Sequence, residues 1–426
     1  MSKEMIETLN RLCSYKSIAQ RTGSLDFPYG EEVNKALKYM LELCDSFGFK
    51  TKNIDNQLGY AEIGEGEEIF GILVHLDVVP VGNGWKYDPF AATLDGDKIF
   101  GRGTIDDKGP AVAAVYAMKE LLDAGADFSR RIRIIFGQTE ENGEWDDMEY
   151  YKAHEEIPTL GITPDADYPA IYGEKGILHF YLSMPKNKAG FIFCEGGQAA
   201  NIVCDEAKAI VEINGKEVEF HTKGRAAHGS VPYDGENAIS KLMQEIASET
   251  DNCKFANFYN KYIGFDLYGE KMGVGLKDMQ SGKLTFNVGR LIMDDDWVKL
   301  NVDIRYPVTY TAEQVEKAIK NSIVGEGVEF EITESQSPVY MDKDGDFIKT
   351  LVKIYQDETG RTEEAEVIGG GTYARAMNNI VAFGPCIPGQ EMTEHQDNEY
   401  IYEKDLVLMR TLIKKVLLKT CTKVSS

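Results

Sequence analysis

Positive charge is scarce in this sequence. Lysine and arginine number 46 against 70 aspartates and glutamates, a net charge of −24 over 426 residues. A surface of that sign repels phosphate backbones, so nucleic acid is not expected as a partner. Long apolar runs are missing too: no 18-residue apolar stretch occurs, and no membrane partner is expected. The N-terminal residues pass into an amphipathic pattern with no signal-peptide-like apolar stretch, so the expected location is cytoplasmic. The seven cysteines are an odd number with no CxxC pair, which suits reduced, buried thiols. None lies beside a histidine, which argues against a cysteine nucleophile. Histidine itself is sparse, with six in the chain, so each setting can be weighed.

What is present reads as α/β. Ile69-Phe70-Gly71-Ile72-Leu73-Val74 is a continuous apolar run of the kind found in a strand covered on both faces. Gly109-Pro110 opens a small-residue helix, Ala111 to Leu122, with Pro110 at its first position, where a missing N–H costs nothing. Arg131–Phe136 is the next strand, and strand–helix–strand order predicts a largely parallel sheet. From about Gly176 short alternating segments take over (Ile177–Leu182, Ala209–Phe220, Lys283–Leu291, Lys299–Ile304). Helices are expected among them at Glu236–Ile246 and Thr311–Ile323, which reads as a separate α+β domain. The α/β texture returns with helices at Phe347–Tyr355 and Lys404–Leu418. The expected organisation is a discontinuous domain of 1–175 plus 338–426, with a second domain inserted at 176–337.

Acidic residues and histidines collect where the buried runs end. His75 and Asp77 close the first strand, two residues apart and so on one face, which lets Asp77 accept the second ring N–H of His75. A histidine there is also readily a satisfied core residue. The segment Gly101-Arg102-Gly103-Thr104-Ile105-Asp106-Asp107-Lys108-Gly109-Pro110 resembles a nucleotide loop only superficially. It lacks the P-loop ending and the Rossmann spacing, and its paired aspartates suit a cation better than a phosphate. Glu140 and Glu141 follow the Arg131–Phe136 strand. Adjacent carboxylates are costly to bury unless a cation or proton is shared, and one can hold a metal while the other manages the proton of a water. Asp165, with Asp167 two residues on, follows a third apolar stretch, and His395 precedes the last helix. Two imidazoles and several carboxylates make the ligand inventory of a dinuclear hydrolytic site.

Taken in order, these segments resemble the M20 metallopeptidases and, among them, the bacterial PepV-type dipeptidases of Xaa-His-dipeptidase or carnosinase-like kind. The matching pieces are Val74–Pro80, Gly101–Pro110, Thr139–Glu141, Gly161–Pro169, Gly224–Ser230, Gly370–Arg375 and Met392–Tyr400. The resemblance implies a zinc-peptidase-like catalytic domain with an inserted lid, and hydrolysis of dipeptides and very short peptides. It implies Asp106 as the metal bridge, His75 and Asp165 on one ion, Glu141 and His395 on the other, Glu140 as general base and Asp77 as the partner of His75. Asp167 and Asp107 are the alternatives to Asp165 and Asp106. His228, Asn201 and Arg305 are expected to meet the substrate from the lid, with His228 catalytic in holding the oxyanion. Tyr373 and Gly371 are further substrate contacts. Read alone, the lid residues are less decisive, since Arg305 could simply pair with Asp303.

The expected cofactors are two divalent ions, Zn2+ or Mn2+, with Co2+ a third candidate. A deacylase or tripeptide hydrolase on the same scaffold is the nearest alternative, and a non-catalytic metal- or peptide-binding protein the alternative of another class. The long insertion resembles an enlarged lid that works within one chain. A monomer is therefore expected, with a homodimer as the competing arrangement.

Overall fold

All seven residues of the Ile69–His75 strand are buried, and six of the seven in Arg131–Gly137. The two pair in parallel from Ile69↔Arg131 to His75↔Gly137. The helix between them, Lys108–Asp123, is buried from Lys108 through Met118, which its run of alanines and valines permits. It begins two residues earlier than expected, so Pro110 is its third residue, still in the first turn where a lost N–H is harmless. Gly109 is required there: a Cβ would come within 2.0 Å of the Thr104 carbonyl oxygen.

The computed structural model describes residues 2–143 and 145–423. The chain forms two units, one of Met1–Tyr172, Met341–Glu366 and Thr372–Ser426, the other of Gly173–Tyr340 and Val367–Gly371. In the first unit the strand order is Lys50–Ile54, Leu58–Ile63, Arg131–Gly137, Ile69–His75, Leu160–Thr163 and Ile380–Ala382, after which Ala382 pairs with Ile171. The expectation of a largely parallel sheet is corrected here, because the sheet is mixed. Its centre is parallel, and its flanks are antiparallel. One reason is local. Asp55 and Asn56 both take positive φ, and Gln57 N–H donates to the Ile54 carbonyl at 2.9 Å. That tight turn makes a hairpin, which can only be antiparallel.

In the second unit seven antiparallel strands run in the order Lys216–Lys223, Glu206–Ile213, Phe193–Gly196, Thr285–Met293, Trp297–Tyr306, Gly176–Pro185 and Glu329–Gln336. The stretch Ala209–Phe220 is two strands, turned at Asn214-Gly215, both with positive φ. Helices Ala238–Glu249, Lys254–Tyr262 and Ala312–Ser322 bury Leu242, Met243, Phe255, Val315 and Ile319 in one core with Phe180, Leu300 and Val302. Thr311 is the cap of its helix rather than its first residue: it accepts from Gln314 N–H in a capping box. Among the described residues no helix is long and apolar enough to cross a membrane.

Candidate metal centre

Arg131–Gly137, Ile69–His75 and Leu160–Thr163 lie side by side and parallel, so their C-terminal ends open on one place. That is where α/β sheets expose side chains and backbone to a ligand. His75 ends the middle strand, Glu140 and Glu141 lie just beyond its neighbour on one side, and Asp165 just beyond the other.

Asp106 sits at the centre. Its Oδ1 is 3.0 Å from His75 Nε2, and its Oδ2 is 3.0 Å from His395 Nε2. Each oxygen of one carboxylate therefore faces a different imidazole. His395 Nε2 is also 3.0 Å from Glu141 Oε2, and His75 Nε2 is 3.7 Å from Asp165 Oδ1. Donor atoms of His75, Asp106 and Glu141 fall within 4.8 Å of one another, as do those of His75, Glu140 and Asp165. Distance alone thus does not separate Glu140 from the other candidate ligands.

The electrostatics are those of a cluster short of positive charge. Burial and the Asp106 charge push the Glu141 carboxyl up to about 7. Burial raises Asp165 to about 6, with Asp106 adding to the rise. Burial and Asp165 hold Glu140 well above the usual carboxylate range. Burial pushes Asp106 up as well, but hydrogen bonds from His395 and His75 outweigh it and hold the group below that range. Hydrogen bonds to Asp106 and Glu141 lift His395 to about 11. The donor set fits a pair of divalent ions: oxygen-rich, two imidazoles, no thiolate, and a buried Glu141 Oε1 with no hydrogen-bond partner among the described residues.

The supporting contacts involve Asp77 and the two alternatives, Asp107 and Asp167. His75 Nδ1 has as its nearest acceptor the main-chain carbonyl of Asp77, at 3.0 Å, with the Asp77 carboxylate at 3.5 Å. That carboxylate also accepts the N–H groups of Glu140 and Glu141, at 3.3 and 3.0 Å. Asp107 is fully buried and turned away from the cluster, accepting His75 N–H at 3.1 Å. Asp167 lies in the short Ala166–Asp167 strand paired with Pro385–Cys386, whereas Asp165 reaches His75.

Tyr373 is corrected. The expected substrate contact is fully buried, and its hydroxyl donates to Asp147 Oδ2 at 2.7 Å. Sequence reasoning also missed Arg102 and Glu399. They form a buried ion pair at 2.7 Å, and the other Glu399 oxygen accepts Ile105 N–H at 3.0 Å and Asp106 N–H at 3.4 Å. Both residues lay inside the motifs noted above, but nothing local indicates that they meet.

The second unit gathers Asn201, His228 and Arg305. Gly229 N–H donates to the Asn201 carbonyl at 2.7 Å. A Cβ on Gly229 would lie 2.6 Å from Asp303 Oδ2, so that glycine allows a close approach. Arg305 is 4% exposed and forks onto Asp303 at 2.8 and 3.0 Å, with a third N–H on the Gly369 carbonyl. This is the Asp303 pairing noted from sequence, and it leaves two of the five guanidinium N–H groups. His228 is exposed, and its Nδ1 accepts Ser230 N–H at 3.1 Å. A neutral ring so held carries its proton on Nε2. Gly371 is exposed at the end of Val367–Gly371.

The model of peptidase family M20/M25/M40 matches residues 71–419. The chain belongs to this family. Its relatives include the "Putative dipeptidase YtjP" of Bacillus subtilis strain 168, 35% identical over 427 residues, covering 92% of this chain and 91% of that one. A Staphylococcus epidermidis protein of the same description is 36% identical over 456 residues, covering 98% and 97%. The fold resembles that of an M20 family metallo-carboxypeptidase from Sulfolobus solfataricus, with TM-score 0.62, 19% identity and coverage of 97% and 98%. It also resembles human carnosine dipeptidase 1, with TM-score 0.63, 14% identity and coverage of 98% and 96%. Both likenesses extend over nearly the whole chain.

Proposed function

We propose that this M20 peptidase is a metallo-dipeptidase, hydrolysing the peptide bond of dipeptides and very short peptides at a dinuclear centre. The observation that carries the reading is Asp106, whose two oxygens each face one of two imidazoles among buried carboxylates. Dipeptidase is also the description borne by relatives that align over nearly the whole chain. His75 and Asp165 would hold one ion, Glu141 and His395 the other, with Asp106 shared. Bound there, two divalent ions supply Lewis-acid polarisation of the scissile carbonyl and acidify a water.

The rest falls to the protein. Glu140 takes the proton of the attacking water and returns it to the departing amine. Its place beside Glu141, the glutamate that faces His395 at 3.0 Å, supports that role over a ligand's. His228, with its proton on Nε2, is a donor for the oxyanion. Arg305 keeps two N–H groups for a substrate carboxylate, Asn201 and Gly371 offer polar contacts, and lid closure would exclude water. Zinc or manganese is the metal we favour, cobalt a third choice, on a donor set without sulfur. Within the family we favour the PepV-type bacterial dipeptidases, acting as a monomer in a reducing cytoplasm. All seven cysteines are free thiols in support of the last point.

The test is metal analysis of the purified protein, then activity on a panel of free dipeptides beside N-acyl amino acids, before and after chelation. Cleavage of free dipeptides, abolished by chelator and restored by Zn2+ or Mn2+, is expected. Chelator-resistant turnover would overturn the metal mechanism, and a preference for N-acyl amino acids would overturn the substrate class.

A further inference from the structure

Four consecutive backbone N–H groups lead into the two glutamates, and two buried carboxylates receive all four. Asp77 takes those of Glu140 and Glu141. Asp147 Oδ2 takes those of Gln138, at 2.6 Å, and Thr139, at 3.2 Å. Asp147 is fully buried in the first turn of the Asp146–His154 helix, and its Oδ1 accepts Met148 N–H at 2.7 Å. The Tyr373 hydroxyl, from a segment 226 residues away in sequence, completes the arrangement by donating to Asp147 Oδ2 at 2.7 Å. The same hydroxyl oxygen also accepts Thr139 N–H at 3.2 Å.

The Tyr373 ring is wedged against the site. It meets the His75 ring edge-on, with centroids 6.2 Å apart and planes at 88°, and Trp145 lies 5.9 Å away on another side. Gly137 makes room for it, since a Cβ there would lie 2.4 Å from the hydroxyl oxygen. One phenol therefore meets the imidazole at the end of the central strand, His75, and the backbone that leads into Glu140 and Glu141.

We infer that Asp147 and Tyr373 are positioning residues: together they fix the 138–141 turn from which Glu140 and Glu141 project, as Asp77 fixes its other half. Neither touches substrate. The inference rests on the reading of Glu140 as the base given above. A base must stay within about half an ångström of its productive place, and small misplacements cost rate steeply. Release of one anchor on the turn should therefore lower kcat while substrate binding is kept.

The experiment uses the metal-loaded full chain and the dipeptide that the wild type cleaves fastest in the panel above. Tyr373→Phe keeps the ring and removes only the hydroxyl. Asp147→Asn keeps an acceptor for the two N–H groups, and Asp147→Ala removes it. For Tyr373→Phe the expected result is a fall in kcat on the order of 10-fold, with KM within about twofold and two metals retained. Asp147→Asn should recover part of what Asp147→Ala loses, in kcat per folded molecule. Packing without positioning would lower the melting temperature and leave kcat per folded molecule unchanged, and that result overturns the inference. Should Asp147→Ala fail to fold, Tyr373→Phe and Asp147→Asn decide. Glu140→Gln, assayed in parallel, separates the two readings. If it is inactive while Tyr373→Phe keeps wild-type kcat, only the positioning role falls. If it is active, the role of Glu140 falls and the positioning role with it.

Discussion

Replacing Arg102 by Met would test how the Asp106 turn is held. Arg102 is 1% exposed and Glu399 fully buried, with Nη1 and Oε2 2.7 Å apart. The guanidinium also reaches the Pro80 carbonyl at 3.3 Å and lies 5.3 Å from the Trp85 ring centroid. At an effective dielectric of about 20 the attraction across such a distance is roughly 6 kcal/mol, most of it offset by the desolvation of both ions. The net worth of the pair is therefore small, but the two partners cannot be separated cheaply. Arg102→Met leaves Glu399 buried beside Asp106 with its counter-ion gone, and should cost about 3–5 kcal/mol. At about 2–4 °C per kcal/mol for a unit of this size, melting should fall by roughly 6–20 °C. Glu399→Gln alone should be similarly harmful. The double variant removes both charges, and an amide oxygen can still accept Ile105 N–H, so it should be clearly less destabilised than the two single losses added. Denaturant melts of the four proteins, all metal-loaded, give the coupling energy. An Arg102→Met protein within about 1 kcal/mol of wild type, or strict additivity in the cycle, would refute the claim that this pair clamps the turn.

Glu140→Gln should lower kcat by about 10²–10⁴-fold while two metals remain bound; loss of metal in step with activity would show it to be a ligand. Asp165→Asn should reduce metal content while Asp167→Asn leaves it near wild type, as atomic absorption would show. The effect of pH has a definite sign. In the metal-free protein Asp165 and Glu141, raised by burial to about 6 and about 7, keep protons that the unfolded chain has already released. His395, lifted to about 11 by Asp106 and Glu141, extends the same trend above pH 6.5. Their contribution to stability is present at low pH and lost as pH rises, and Asp106, shifted the other way, acts only below about pH 4. The gap in melting temperature between metal-loaded and metal-free protein should therefore widen from pH 5 to pH 8, and a narrowing gap would contradict it. Finally, mixing Glu140→Gln with His228→Ala should restore no activity if the chain acts as a monomer, whereas recovery toward roughly a quarter of wild type per chain would show the histidine acting across a dimer.

Part of the candidate site was legible because three of its positions follow a local signal, as Asp106 and His395 do not. A buried run ends at His75, another just before Glu140 and Glu141, and a third just before Asp165. A carboxylate or imidazole at the end of a covered strand is conspicuous, since burial there needs a reason. The helix Lys108–Asp123, the helix Glu403–Cys421 and the two textures of the chain were readable for similar reasons of period and composition. Tertiary structure alone decided the rest. Asp106 and Asp107 are adjacent and chemically alike, yet one faces two imidazoles and the other holds a backbone N–H. Tyr373 stands in a motif of apparent substrate contacts, but its hydroxyl is taken by Asp147, 226 residues away. Arg102 and Glu399 meet across 297 residues. Beyond the local hairpin at Asp55-Asn56, a strand's parallel or antiparallel neighbour is set by where the chain returns, as where Arg131–Gly137 pairs antiparallel with Leu58–Ile63. Local sequence fixes what a side chain can do, through its chemistry and the period of its neighbours. Which donor it finds is set by segments far along the chain, and packing leaves no trace of that choice in either segment alone.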